Sequence, residues 1–236
     1  MTRFDKLVEI LGQNLEGFEV RVKEESTLMK IISRILFFNK AFMTGFITTI
    51  GRTVYWPKQK LEDSGSIVTL THEYQHAKDA AKRTSFLFGI LYLFPLILAL
   101  PGVLLALASP VWIALMACGV IAWSWWLLPF LLTLVFLAPI PAPWRTHYEV
   151  KASMMGLFTT NELLKERGLS VQNRIEILQS QADRKEEMFT GPAYYFMWPF
   201  GVKEELYKAI QDIISEKILE EDDIYREIAQ ALKDSK

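Results

Sequence analysis

The stretch His72-Glu73-Tyr74-Gln75-His76 determines how the rest of this chain of 236 residues is interpreted. Residues four apart on an α-helix lie on one face, so a helix here directs His72 and His76 toward the same point. Two imidazoles with this spacing can bind one zinc ion. Glu73 follows the first of them, where its carboxylate can act as a general base. The sequence therefore predicts a helical metal site at residues 72–76.

A long uncharged segment follows this motif. The 61 residues between Arg83 and Arg145 include no Asp, Glu, Lys, Arg or His. Because a membrane-spanning helix needs about 20 apolar residues, this length predicts two spans, at 86–105 and 112–137. The predicted turn is 106–111, which contains Ser109-Pro110. The alternative is a buried hairpin in a soluble protein, and it is disfavoured because soluble helices normally have a polar face.

The charges beside this segment predict its orientation. Lys78, Lys82 and Arg83 precede the first predicted span, Arg145 and Lys151 follow the second, and the turn carries no charge. The positive-inside rule then predicts an integral membrane protein with two spans and with both termini in the cytoplasm.

Composition excludes several classes of function. The formal net charge of −1 gives no reason to expect a nucleic-acid partner. Cys118 is the only cysteine, so an internal disulfide and a thiolate metal cluster are both excluded. Residues 1–5 are polar and charged, which predicts that no cleavable signal peptide is present.

The regions on either side of the apolar segment differ in their predicted elements. Residues 46–50 and 53–56 are rich in β-branched and aromatic side chains and predict two short strands separated at Gly51. Helices are predicted at 25–38, from Ser66 through the motif, at 146–167 and at 171–188, and one or two amphipathic helices are predicted over 203–233. Residues 189–201 are aromatic, contain two prolines and are predicted to line a cleft or lie at a membrane interface. The predicted fold class is mainly α with a small β element (α+β).

The spacing of residues does not identify the third ligand of the predicted metal. A catalytic zinc usually has three protein ligands and one water. The one histidine outside the motif is His147. The candidates are therefore His147, Glu149 and other carboxylates.

The segment Arg145-Thr-His-Tyr-Glu149-Val-Lys-Ala152-Ser153 resembles the third-ligand helix of gluzincin metallopeptidases, which place a Glu-x-x-Ala segment after HExxH. The order of segments resembles the membrane-embedded CAAX-prenyl-protease and heat-shock-peptidase family, whose members also have membrane spans between the two motifs. The chain departs from that family at Lys78, a position that is normally apolar, and at Ser153, where the family usually has aspartate.

This resemblance implies a fold and a function. It implies a compact zincin-like domain made of residues 1–83 and 145–236 and split by a transmembrane hairpin at 84–144. It also implies a zinc metallopeptidase in which Glu149 is the third ligand and Glu73 the base, acting on membrane or membrane-proximal proteins. Arg145 could orient Glu149. The candidate donors to the reaction's oxyanion are Arg145, Tyr148, Tyr194 and Tyr195. Of these, Tyr194 and Tyr195 are favoured because they lie in the otherwise unexplained aromatic segment.

A second interpretation is a membrane-anchored interaction protein without catalytic activity, with or without zinc. In that case the lipid bilayer is still a partner, but no substrate is cleaved. Metal content and peptide cleavage distinguish the two interpretations.

Overall fold

The computed structural model describes residues 1–35, 39–60, 66–120, 128–138, 140–191, 197 and 200–236. These residues are mainly helical with one small sheet, which confirms the predicted fold class. They divide into two compact units. The first comprises Met1–Gly89, His147–Glu186 and Phe200–Lys236, and the second comprises Ile90–Thr146 and Glu187–Pro199. The first unit therefore combines sequence from both sides of the apolar segment.

The helices are numbered in chain order. They are α1 (Arg3–Asn14), α2 (Thr27–Ile35), α3 (Phe42–Gly45), α4 (Ser66–Lys82), α5 (Ser85–Leu93), α6 (Leu100–Ala117), α7 (Leu128–Leu132), α8 (Pro143–Glu166), α9 (Val171–Thr190), α10 (Val202–Ile214), α11 (Ile218–Glu221) and α12 (Asp223–Asp234). Their starts follow local chemistry. At α1, for example, Thr2 and Asp5 form a reciprocal capping box.

The sheet contains both predicted strands and one that was not predicted. Strands β2 (Thr48–Ile50) and β3 (Thr53–Trp56) pair antiparallel, and β1 (Glu19–Val22) pairs parallel with β3. The order β1-β3-β2 leaves β2 at an edge. Gly51 forms the turn between β2 and β3 at φ +63°, and a Cβ there would lie 2.9 Å from the Ser85 hydroxyl oxygen. The predicted break at Gly51 is thus confirmed, and the close approach favours glycine.

A buried lysine holds the chain that leads into β2. The Lys23 amine donates hydrogen bonds to the carbonyls of Phe42 and Phe46 and to the Thr48 hydroxyl, at 2.7, 2.8 and 2.8 Å. It also lies 3.8 Å from the centre of the Phe42 ring. Because these acceptors are in or near α3 and β2, Lys23 fixes the edge strand relative to the rest of the sheet.

We expect this lysine to make stability rise with pH. Burial lowers the pKa of Lys23 from 10.5 to about 8. Between these values the unfolded chain binds more protons than the folded one, so the free energy of unfolding increases with pH, by on the order of 2 kcal/mol after allowance for solvent screening. Thermal unfolding in detergent should show this rise in the parent protein and not in Lys23→Met. Parallel pH profiles for the two proteins would contradict the assignment.

The apolar segment differs from the predicted hairpin. Among the described residues, one helical stretch is long and apolar enough to cross a membrane, Leu96–Ala117, with 22 residues and a mean hydropathy of 2.2. The predicted turn at 106–111 is wrong, since it lies inside α6. Pro110 cannot donate a backbone hydrogen bond to the carbonyl of Ala106, but the Ser109 hydroxyl donates to that carbonyl at 2.7 Å. The helix therefore continues through Ser109-Pro110.

The structure does not support the two membrane spans with the predicted boundaries. In the first, 86–105, α5 ends at Leu93, just before Phe94-Pro95, because proline disfavours helical backbone in the preceding residue. The second, 112–137, begins inside α6 and ends in α7 and a 3₁₀ turn at Thr133–Leu137. Its residues 121–127 lie outside the described part of the chain. Two crossings and cytoplasmic termini are therefore not supported.

The second unit does fold back on itself. The backbone N–H of Gly102, in α6, donates to the Thr133 hydroxyl at 2.9 Å. The chain leaves the first unit after Gly89 and re-enters it at His147. Whatever surrounds the apolar segment, its two ends therefore belong to the same folded unit.

Candidate metal centre

Helices α4 and α8 bring the predicted ligands together. His72 and His76 lie one turn apart on α4, with ring centres 5.0 Å apart. Glu149, on α8, places one carboxylate oxygen 3.4 Å from Nε2 of His72 and the other 3.4 Å from Nε2 of His76. One donor atom from each of the three residues lies within 4.8 Å of the others, so the group can hold a metal ion.

The ligand cluster is shielded from water, and its side chains shift one another's pKa values. The side chains of His72, His76 and Glu149 are 12%, 7% and 4% exposed. Burial acts to raise the pKa of Glu149, but the neighbouring His76 and His72 hold it well below its usual value. Burial likewise acts to lower the pKa of His76, and Glu149 raises it. The 3.4 Å separations exceed the 2.7–2.9 Å that is usual for a direct charge-assisted hydrogen bond, so there is space between the donors.

Polar contacts fix α4 against α8 on both sides of the ligands. The hydroxyls of Thr71 and Thr159 are 2.8 Å apart and buried. At the other end of the motif, the Lys151 amine lies 2.9 Å from the carboxylate of Asp79, which also accepts from the Gln75 amide at 3.0 Å. Because Lys151 lies two residues beyond Glu149, this ion pair fixes α8 close to that carboxylate.

The opposite side of α4 contacts the C-terminal helix. Lys78 lies 2.9 Å from Glu227 of α12, and the Tyr74 hydroxyl donates to the same carboxylate. Burial and Glu227 together raise the pKa of Tyr74, so it remains a neutral donor. Lys78 departs from the gluzincin pattern, and its position is explained here by its partner on α12.

The predicted base is held by the edge strand. The hydroxyl of Thr49, in β2, donates to the Glu73 carboxylate at 2.6 Å. Glu73 is partly buried on α4, next to the first ligand. The sequence indicated both the strand and the base, but not the hydrogen bond that joins them.

Lys185 is a charged residue near the candidate site that sequence reasoning did not identify. Helices α8 and α9 are joined by a short turn, and Arg174 donates to the Asn161 side chain at 2.7 Å. Glu149 lies twelve residues before Asn161 and Lys185 eleven after Arg174, distances of about 18 and 17 Å along the two helices, so they lie at the same level. Burial lowers the pKa of Lys185, while Glu149 and Glu73 act to raise it. The amine thus lies in the field of both carboxylates.

The remaining predicted residues have different positions. His147 is exposed, with its ring against Tyr148, and it is not part of the three-residue cluster. Arg145 donates to the backbone carbonyl of Tyr92 at 3.1 Å, and its guanidinium lies 5.3 Å from the centre of the Tyr92 ring. Tyr148 is buried against Phe88. Tyr194 and Tyr195 lie outside the described residues, so their role stays a prediction.

Comparison with known proteins finds no similar chain. No family model, no curated protein and no solved structure matches this sequence. The resemblance to gluzincin metallopeptidases therefore stays a prediction, and function has to be inferred from the site itself.

Proposed function

We propose that the protein is a membrane-anchored zinc metallopeptidase that hydrolyses peptide bonds in membrane or membrane-proximal proteins. The observation that carries this proposal is the buried group of His72, His76 and Glu149, which has Glu73 beside it. Two imidazoles and one carboxylate form a donor set typical of catalytic zinc. Thr49 adds a hydrogen bond that holds the Glu73 carboxylate.

The types of donor atom favour a transition metal such as zinc. The Nε2 atoms of His72 and His76 each lie 3.4 Å from a different oxygen of the Glu149 carboxylate. Nitrogen ligands also disfavour magnesium and calcium, which prefer oxygen. His72, His76 and Glu149 would hold the ion, which would supply Lewis-acid chemistry to a water or substrate oxygen.

The chain's own residues supply proton transfer and charge stabilisation. Zinc, when bound, acts as a Lewis acid on water and on the substrate carbonyl. Glu73 accepts a proton from the attacking water and passes it to the leaving amine. Thr49 holds the Glu73 carboxylate in one orientation. Tyr194 and Tyr195 stay candidates for the donor to the developing oxyanion, and Lys185, whose pKa responds to Glu149 and Glu73, is a further candidate.

The edge strand and the apolar segment suggest the class of substrate. The outer edge of β2 can pair with an extended peptide by strand addition, and Thr49 places that edge beside Glu73. Leu96–Ala117 provides a stretch that can enter a bilayer. Because both ends of the apolar segment belong to one unit, we propose that it enters and leaves the membrane on the same side, which Lys82 and Arg83 favour as the cytoplasmic side.

The test is cleavage in a reconstituted membrane. The full chain is placed in liposomes with a mixture of unstructured peptides, half of them lipid-anchored, and products are identified by mass spectrometry. We expect one zinc per chain and chelator-sensitive cleavage that is faster for the anchored peptides. Bound zinc without cleavage would support the non-catalytic interaction protein, and absence of bound metal would overturn the metal site.

Removing the hydroxyl that holds the base should slow catalysis without affecting the metal. In Thr49→Val we expect kcat to fall about tenfold, because a general base contributes most when its orientation is fixed. KM and zinc content should be unchanged, and Thr49→Ser should restore most of the rate. The matched control is Thr53→Val, in the neighbouring strand, whose hydroxyl donates to Glu19. Equal rates for Thr49→Val and Thr53→Val would remove Thr49 from the mechanism.

A further inference from the structure

Helix α2 is fixed to the first unit by one of its faces. Met29 is buried in a small apolar cluster with Phe42 and Tyr55, and Ile32 and Met43 pack against that cluster. Met29 is fully buried, so this face of the helix is settled by packing. The opposite face is therefore directed away from the cluster.

That outer face is apolar and exposed. Leu28, Ile31 and Ile35 are 43%, 48% and 67% exposed, and their spacing of three and four residues places them in one stripe. Lys30 and Arg34, also exposed, lie one turn apart on one flank of the stripe. An exposed apolar stripe with a basic flank is the pattern of helices that lie in a membrane interface.

We propose that the outer face of α2 is a second membrane contact, lying in the headgroup region of an anionic bilayer. Two observations favour lipid over a protein partner. The flanking charges of Lys30 and Arg34 complement anionic lipid, and their long side chains can extend to headgroups while the apolar stripe is immersed. The same chain carries a 61-residue uncharged segment containing a helix of mean hydropathy 2.2 that is long enough to cross a membrane, so the sequence also favours a bilayer as a partner.

This contact goes beyond the proposed peptidase activity and does not depend on it. The contact would affect where the edge strand β2 lies relative to the lipid surface. Phe42, which packs on the inner face of α2, begins α3, and α3 leads into β2. A bilayer held against α2 would therefore set the distance of the edge strand from the lipid surface.

Fluorescence quenching of a probe on α2 tests the contact. The full chain, carrying Cys118→Ser, receives a single environment-sensitive fluorophore at Ile31→Cys and is reconstituted in liposomes of phosphatidylglycerol and phosphatidylcholine. Gln13→Cys, exposed on α1, is the aqueous control, and Leu107→Cys, exposed on α6, is the lipid control. We expect blue-shifted emission at Ile31→Cys and at least about twofold stronger quenching by lipids with a nitroxide near the headgroup than by those with one near the chain end.

The remaining outcomes each have a defined meaning. A blue shift without quenching by nitroxide lipids would mean that protein covers the face, and would overturn the proposal. Emission equal to that of Gln13→Cys would mean that the face is hydrated, and would overturn it as well. Quenching at Leu107→Cys shows that the chain is in the bilayer in either case. In Lys30→Glu/Arg34→Glu, with unchanged thermal unfolding, we expect quenching at Ile31→Cys to fall about twofold because anionic lipid is repelled.

Discussion

Replacing Glu73 with glutamine is expected to lower kcat by on the order of a thousandfold while one zinc per chain remains bound. The amide has the shape of the carboxylate and can still accept the hydrogen bond from Thr49, so the local structure should be kept. It cannot accept a proton from water at neutral pH, so proton transfer is lost. Cleavage of a lipid-anchored peptide gives kcat, and elemental analysis gives the zinc content.

The control for this prediction is Glu205→Gln, an exposed glutamate on α10 that has no part in the site. It carries the same chemical change and should leave both measurements unchanged. Parental activity in Glu73→Gln would remove Glu73 as the base. Loss of zinc in Glu73→Gln would show that this carboxylate supports the metal rather than moving a proton. The two failures are distinguishable because zinc content is measured separately from rate.

The part of the site that sequence predicted best is local in the chain. His72 and His76 could be paired from sequence because one turn of helix places them on the same face. Strands β2 and β3 could be predicted because runs of β-branched residues lie on both sides of a glycine turn. Glu149 lies more than seventy residues away, so spacing left it open beside His147, and the resemblance to gluzincins favoured it. The structure brings Glu149 to both imidazoles and leaves His147 exposed, which is the long-range result that local patterns cannot supply.

The features that sequence missed depend on partners distant in the chain. Lys185 lies in a charged run that indicates a solvated face, and its relation to Glu149 depends on how α9 packs beside α8. Nothing in the sequence distinguishes Thr49 from other strand residues, and its role follows from its hydrogen bond to Glu73 in the structure. The Ser109-Pro110 pair is typical of a turn, but the serine hydroxyl satisfies the carbonyl that proline leaves without its usual donor, so the helix continues.

Replacing Glu149 with glutamine is expected to weaken zinc binding by at least about a hundredfold, because a neutral amide cannot supply the anionic ligand and two imidazoles remain. The weaker zinc binding should also reduce the stability that zinc adds to the folded protein. In the parent protein, zinc at about 100 times its dissociation constant stabilises the fold by about 2.7 kcal/mol, and Tm rises accordingly. In Glu149→Gln the same zinc concentration should leave Tm almost unchanged. Calorimetric titration of the metal-free proteins gives the affinities.

His147→Ala is the matched control for this ligand. It lies two residues before Glu149 on the same helix, it is exposed, and it is the rival third ligand. We expect it to bind zinc as the parent does and to show the same rise in Tm. If His147→Ala lost zinc and Glu149→Gln kept it, the third ligand would be His147. The buried cluster on which the proposed peptidase depends would then not be the metal site, because α8 would have to rotate to bring an exposed imidazole inward.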